Sequence, residues 1–346
     1  MEMDYSGKRV FIGIDVHLRQ YTVCCRCEGL VVKRATMRGS PGDLLGFIGR
    51  HFSGAVVKTA YEAGFSGFVL HRALVGSGVE SLVVHAASIE ISQKKTKTDK
   101  RDAQKIAEQL EGGRLKSIYI PTEEADRSRL VTRTRSQLVR ERTRIKNQIR
   151  MRLHYFGLID PNERRSMSKA LLAEIRARGL SAELEYGLKL QEAVWNVLDE
   201  QIRSCDRKVK ESELEALVQL YMSVPGFGRL IAFSLARELG DLRQFKSEKA
   251  LFSFTGLTPS EATSDQTRHL GHITRQGSAR LRHLLVQAAW MAIRKDPSLQ
   301  KKFIKIAARA GKKRAIVAIA RKLIGRARAV INKKEDYKIK EQKLAA

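Results

Sequence analysis

Four acidic side chains stand where carboxylates can act together. Asp15 closes the apolar run from Val10 to Ile14, and Glu62 closes the run from Ala55 to Tyr61. Asp99 and Asp102 open a helical pattern, at i and i+3 on one helix face. Strand ends and helix starts meet at the working edge of an α/β sheet. Carboxylates gathered there repel one another unless a cation sits between them. Oxygen donors of this type hold Mg²⁺. Two such ions about 4 Å apart can activate a nucleophile and stabilise the leaving oxygen of a phosphodiester. The competing reading is plainer: Asp99 and Asp102 as a helix cap, Asp15 and Glu62 as polar strand ends.

Charge points to the substrate. The 346 residues include 65 Lys+Arg against 37 Asp+Glu, a net charge of +28. Such a balance favours nucleic acid as partner. No uncharged apolar stretch reaches the roughly 18 residues of a membrane span. The polar N-terminus lacks a signal-peptide core, so a cytoplasmic location with no membrane partner is expected. Cys24, Cys25, Cys27 and Cys205 show no zinc spacing and read as reduced thiols.

The elements that position the carboxylates follow from periodicity. Strands are expected at 9–16, 20–27, 30–37, 55–61 and 80–84, with Glu28-Gly29 as a tight turn. Helical patterns fill 41–51, 65–76 and 99–112, giving a mixed sheet covered by helices over residues 8–122.

Residues 123–215 read as long helices. The first carries Arg133, Arg135, Arg140, Arg142 and Arg144 with few acidic neighbours in sequence, a pattern that suits phosphate contacts. The second has a seam at Leu184, Leu188, Trp195, Leu198, Ile202, Cys205 and Val209. A coiled coil is expected, with this seam as a candidate interface between copies. Two ordinary bundle helices are the alternative.

Residues 216–332 form a further, mainly helical domain. Its opening Ser223-Val224-Pro225-Gly226-Phe227-Gly228 resembles a helix-hairpin-helix, in which Gly226 and Gly228 would admit a phosphate to the following helix start. A plain glycine turn fits equally. A polar loop is expected from Thr258 to Gln276, and a loose basic tail over 333–346.

Taken in order, three acidic motifs resemble those of the insertion-sequence DEDD transposases of the one-ten group. They are Phe11-Ile12-Gly13-Ile14-Asp15, Tyr61-Glu62-Ala63-Gly64 and Lys97-Thr98-Asp99-Lys100-Arg101-Asp102. Downstream, Phe254-Thr255-Gly256-Leu257-Thr258-Pro259 and Gly271-His272-Ile273-Thr274-Arg275-Gln276-Gly277 are similar to that family's C-terminal transposase domain. The resemblance implies a ribonuclease-H-like (RuvC-like) catalytic domain, a central helical coiled coil and a C-terminal transposase domain. It implies a Mg²⁺ site, with Mn²⁺ as substitute, at Asp15, Glu62, Asp99 and Asp102. It also implies a nucleophilic serine after Gly-Leu-Thr-Pro, matched here by Ser264; Ser260, Thr263 and Thr267 offer competing hydroxyls. Arg268, Arg275 and Arg282 join Arg133, Arg140 and Arg144 as candidate nucleic-acid contacts. The implied partners are donor and target double-stranded DNA, a noncoding bridge RNA that guides the enzyme, and further copies of the chain, as a homodimer and a tetramer at the synapse. A second reading is a structure-selective nuclease in which the carboxylates direct water and Ser264 has no part.

Overall fold

The structure, a computed structural model, describes residues 4–89, 98–212, 215–264, 267–274 and 276–339. The chain divides into two compact units, Met1–Ile120 and Pro121–Ala346.

The first unit holds β1 (Arg9–Val16), β2 (Gln20–Cys27), β3 (Leu30–Arg38), α1 (Pro41–His51), β4 (Val56–Glu62), α2 (Val69–Gly76), β5 (Glu80–Val84) and α3 (Asp99–Glu111). Its sheet runs β3-β2-β1-β4-β5. β1 pairs antiparallel with β2 and parallel with β4. Side chains alternate across β1. Val10, Ile12 and Ile14 enter one core with Leu44, Phe47, Leu70 and Leu74 from α1 and α2. Phe11 faces the other side, against Ile106 and Leu110 of α3. Asp15 therefore lies on the α3 side, by strand period.

Gly13 sets how closely α3 approaches. A Cβ there would stand 2.1 Å from the Ala103 carbonyl oxygen and 2.4 Å from the Ala107 nitrogen. Both contacts are backbone, so any side chain at 13 must push the helix off the sheet. The far end of α3 is pinned separately. Arg26 Nε donates to Glu111 at 2.6 Å, and the Gly29 amide donates to Glu111 at 2.7 Å. Glu28 and Gly29 both take positive φ (51° and 81°), as a two-residue hairpin turn requires. The helix thus runs back along β1, with Asp99 and Asp102 in its first turn at the strand's carboxyl end.

The second unit holds α4 (Glu123–Ser128), α5 (Leu130–Tyr155), α6 (Lys169–Arg176), α7 (Ala182–Glu211), α8 (Ala216–Ser223), α9 (Arg229–Leu239) and α10 (Glu248–Phe254). A hairpin of β6 (Pro259–Ser264) and β7 (Thr267–Ile273) follows, then α11 (Ala279–Lys295), α12 (Pro297–Ala310) and α13 (Lys312–Lys333). The segment expected as a polar loop is thus largely a pair of antiparallel strands; Thr263, next to the last residue of β6, and Thr267, the first of β7, are β-branched residues that suit strands.

Helices α5 and α7 pack antiparallel. Arg135 pairs with Asp206 at 2.6 Å, and Arg142 pairs with Asp199 at 2.9 Å, one heptad along each helix. The α7 seam is spent within the chain. Leu184, Leu188 and Trp195 are buried with Ile149 and Leu153 of α5 and Leu171, Leu172 and Ile175 of α6. Val209 enters the larger core built by α8, α9, α11 and α13. These buried residues are not a surface for a second copy. The row that α7 does expose is Tyr186, Leu190, Val194 and Val197.

The α5 arginines also differ from expectation. The acidic partners of Arg133, Arg135 and Arg142 are remote in sequence, on α7 and α9, where local charge counting does not find them. Arg133 donates to both oxygens of Glu238 at 2.9 Å.

The chain end is anchored as far as it is described. Composition suggested a loose tail, but the Tyr337 amide donates to Ser223 Oγ at 3.0 Å, and its hydroxyl donates to Asp296 at 2.6 Å. Asp296 is buried, yet its carboxyl is held at about 2. Burial opposes this, and bonds from Tyr337, Ser298 and the Leu299 amide, with the Arg326 charge, prevail.

Candidate active site and nucleic-acid surface

Asp15, His17 and Asp99 offer ligand atoms that all lie within 4.8 Å of one another. Asp15 ends β1 on the face that Gly13 opens to α3. Asp99 comes from the first turn of that helix. His17 Nδ1 lies 3.5 Å from Asp15 Oδ2. The His17 amide donates to the Gln20 carbonyl at 3.0 Å, which closes the β1–β2 turn and sets the His17 backbone beside the end of β1.

Glu62 stands one residue beyond the paired Ile14 and Tyr61, on the neighbouring strand, and is exposed. Asp102 lies one turn along α3, 3.8 Å from Lys105. Neither belongs to the group whose ligand atoms share the 4.8 Å limit. Of the four carboxylates singled out by spacing, two are drawn together and two flank them. His17 was not foreseen. The usable signal was its position just past the end of β1, two residues after Asp15.

The donor set fits a divalent cation. Two close carboxylates need compensating positive charge, and their hard oxygens suit Mg²⁺ or Mn²⁺. An imidazole nitrogen in the set favours Mn²⁺ over Mg²⁺.

Ser264 is the last residue of β6 and pairs with Thr267. The side chains of Ser264 and Arg268, and the whole of Arg275, lie outside the described residues. The hairpin's base is closely built. The Thr274 amide donates to Thr258 O at 3.0 Å, and the Ser278 amide donates to Phe254 O at 2.8 Å. Gly277 (φ 82°) has no room for a Cβ, which would stand 2.3 Å from Ser253 O. Arg282 Nη1 donates to Gly256 O at 3.3 Å, so this arginine buttresses the turn beneath the hairpin. The Ser260 hydroxyl is committed to the His272 carbonyl at 3.0 Å.

The glycine turn between α8 and α9 splits into two roles. At Gly226 (φ 85°) a Cβ would lie 2.2 Å from Ala288 O of α11, so close packing alone demands glycine there. Gly228 caps α9 with open space around its Cα and, lacking a side chain, gives the helix's first amides no cap bond. A cavity of about 780 Å³ lies beside it, with Arg142, Lys295 and Ile339 among its walls. Arg229 is occupied, donating to the Val209 and Ser212 carbonyls at the end of α7.

Glu238 of α9 is buried among three guanidiniums. Besides Arg133, Arg280 Nη1 donates to it at 2.7 Å, and Arg129 Nε lies 3.7 Å away. Burial pushes its carboxyl up, but the Arg133 hydrogen bonds and the charges of Arg133, Arg129 and Arg280 outweigh this and hold it below the usual range. Arg133 is therefore a member of this network. Arg144 pairs with Glu141 within α5, and Arg140 is exposed.

Comparison with known proteins places this architecture. Residues 12–156 match the model of DEDD transposases of the IS110 type, described as "Transposase", and residues 218–304 match "Transposase IS116/IS110/IS902 family". Similar relatives include "Putative transposase y4qE" of Sinorhizobium fredii, 30% identical over 68% of this chain and 58% of that protein. "Transposase for insertion sequence element IS1111A" of Coxiella burnetii is 28% identical over 78% of this chain and 76% of that protein. The match thus spans about six-tenths of the first relative's length and about three-quarters of the second's. The chain belongs to the IS110-type DEDD transposase family.

Proposed function

We propose that the protein is a transposase that cuts and exchanges DNA strands for an insertion sequence. The observation that carries this is the meeting of Asp15 and Asp99, with His17, in a family of transposases and a chain of charge +28. The first unit's sheet order and its helix laid across β1 support a RuvC-like reading of that unit. Asp15 and Asp99, with His17, would hold the divalent ion, and Glu62, at the end of β4, and Asp102, in the first turn of α3, would serve a second ion or the substrate. The ion, Mg²⁺ or Mn²⁺, supplies Lewis acidity toward phosphate oxygens.

Ser264 provides the nucleophile in this reading. Its Oγ attacks the scissile phosphorus, its proton passes to solvent or a neighbouring base, and the P–O3′ bond breaks. A 5′-phosphoserine and a free 3′-hydroxyl result. Attack by the 3′-hydroxyl of another strand expels the serine, so strands are exchanged without an energy-rich cofactor. Two features support Ser264 over its neighbours: its match to the family motif, and the commitment of the Ser260 hydroxyl to a carbonyl.

Exchange between donor and target duplexes needs more than one active site, so a homodimer joining into a tetramer is part of the proposal. So is guidance by a noncoding bridge RNA, which leaves the protein to hold backbones. The covalent step gives the test. Full-length protein is incubated with element-end DNA, flanking RNA and Mn²⁺, then denatured. Wild type is expected to carry a covalent DNA adduct that Ser264→Ala lacks. Cleavage by Ser264→Ala at the wild-type rate, with no adduct in either protein, would establish the water-directed nuclease instead.

A further inference from the structure

From Pro297 to Lys334 the chain has thirteen Lys and Arg and no Asp or Glu. This stretch is the helical hairpin of α12 and α13. Its buried side is fully used: Leu299, Ile316, Ile319, Leu323 and Ile324 lie in the core. The cations therefore gather on the outer side. Lys301, Lys305 and Arg309 are exposed at i, i+4 and i+8, one ridge about 12 Å long along α12. Gly311, at φ 79°, turns the chain, and exposed Lys312, Lys313 and Arg314 follow at once.

Like charges at i and i+4 destabilise a helix by a few tenths of a kcal/mol per pair. Here no acidic side chain offsets the ridge: these six make no ion pair with a described residue. The crowding reaches α13 as well. Lys322 faces Lys302, and burial together with that neighbouring charge holds its ammonium below the ordinary range, with Glu248 opposing. A fold that keeps uncompensated cations in rows is complementary to a polyanion carrying about one charge per 1.7 Å.

We infer that the α12–α13 hairpin is a docking surface for the phosphate backbone of double-stranded DNA. The inference rests on the transposase reading, which supplies DNA as substrate. The surface chemistry favours a duplex over an unpaired strand. Unpaired bases are held by stacking on exposed aromatic rings. Within the hairpin Phe303 is half-buried and Ile304 is the large apolar side chain exposed among the described residues; Trp290 of the neighbouring α11 is 40% exposed, but its ring is set against Phe303, edge to face, rather than standing free. Contacts here are sequence-independent and position the duplex.

The test is the salt dependence of binding. The triple variant Lys301→Gln/Lys305→Gln/Arg309→Gln of the full chain is compared with wild type by fluorescence anisotropy, on duplex DNA and on duplex RNA of arbitrary sequence, from low to physiological salt. A control variant, Lys189→Gln/Lys208→Gln/Lys210→Gln, removes equal charge from exposed α7 positions. The slope of log affinity against log salt is expected to fall by up to about 2.7 in the ridge variant and to stay unchanged in the control. An unchanged ridge slope, or an equal fall in the control, overturns the inference. A fall confined to duplex RNA overturns the assignment to DNA. Failure of wild type to bind any nucleic acid would instead remove the transposase reading beneath it.

Discussion

Asp15→Asn and Asp99→Asn are each expected to lower DNA cleavage by about 10³-fold or more and to raise the melting temperature of the metal-free protein. Both follow from one geometry. The two carboxylates have oxygens within 4.8 Å, and Asp15 is only 21% exposed. Two like charges 4.8 Å apart repel by about 3.5 kcal/mol at an effective dielectric near 20, and by more when closer. Solvent and His17 reduce this, so a gain of about 1 kcal/mol on neutralising one partner is the reasonable scale. A helix cap would behave in the opposite way, because losing a cap destabilises. Loss of the metal's transition-state stabilisation, several kcal/mol, corresponds to the stated fall in rate. Thermal melts in chelator and cleavage assays with metal, on the same protein preparations, read both. Lower melting with retained cleavage would mean that these residues are only structural.

The second large effect concerns stability. Glu238→Ala is expected to destabilise the second unit by about 3–5 kcal/mol, because it strands buried guanidiniums without a counter-charge. Arg129, Arg133 and Arg280 all converge on this carboxylate. Its folded pKa lies below its unfolded value. The stabilisation is therefore fully present above the unfolded value, near 4.5, and is lost as pH falls through the depressed folded value. Wild type should lose this increment on acidification, whereas Glu238→Ala should show a flatter profile over the same window. Denaturant melts at a series of pH values check it. Equal slopes for the two proteins would show that the carboxylate gains nothing from its arginines.

Much of this was legible before any coordinates. The alternation of β1 and β4, the Glu28-Gly29 turn and the acidic start of α3 each follow from local pattern, and together they place Asp15 and Asp99 at one sheet edge. Other features depend on contacts between distant residues. Glu238 is a single acid in an apolar helix, and nothing local predicts three arginines, from the α4–α5 junction, α5 and α11, around it. Asp199 and Asp206 answer the α5 arginines from nearly sixty or more residues away, so a stripe that looked uncompensated is largely paired. Gly226 fits a phosphate turn or a plain glycine turn by sequence; its positive φ and the nearness of Ala288 demand glycine there, and only packing reveals the second. The α7 seam had the right period for a helical partner; periodicity does not tell whether that partner lies within the chain or in another copy. His17 escaped notice because a histidine in a turn has many uses, and only proximity to both carboxylates singles out one.

The central claim is that Asp15 and Asp99, with His17, hold a divalent ion. Mn²⁺ titration followed by electron paramagnetic resonance tests it without relying on turnover. Wild-type protein should bind Mn²⁺ with loss of the free-ion signal, and the Asp15→Asn/Asp99→Asn double variant, folded by circular dichroism, should leave that signal undiminished. Equal Mn²⁺ binding by the folded double variant would contradict the claim.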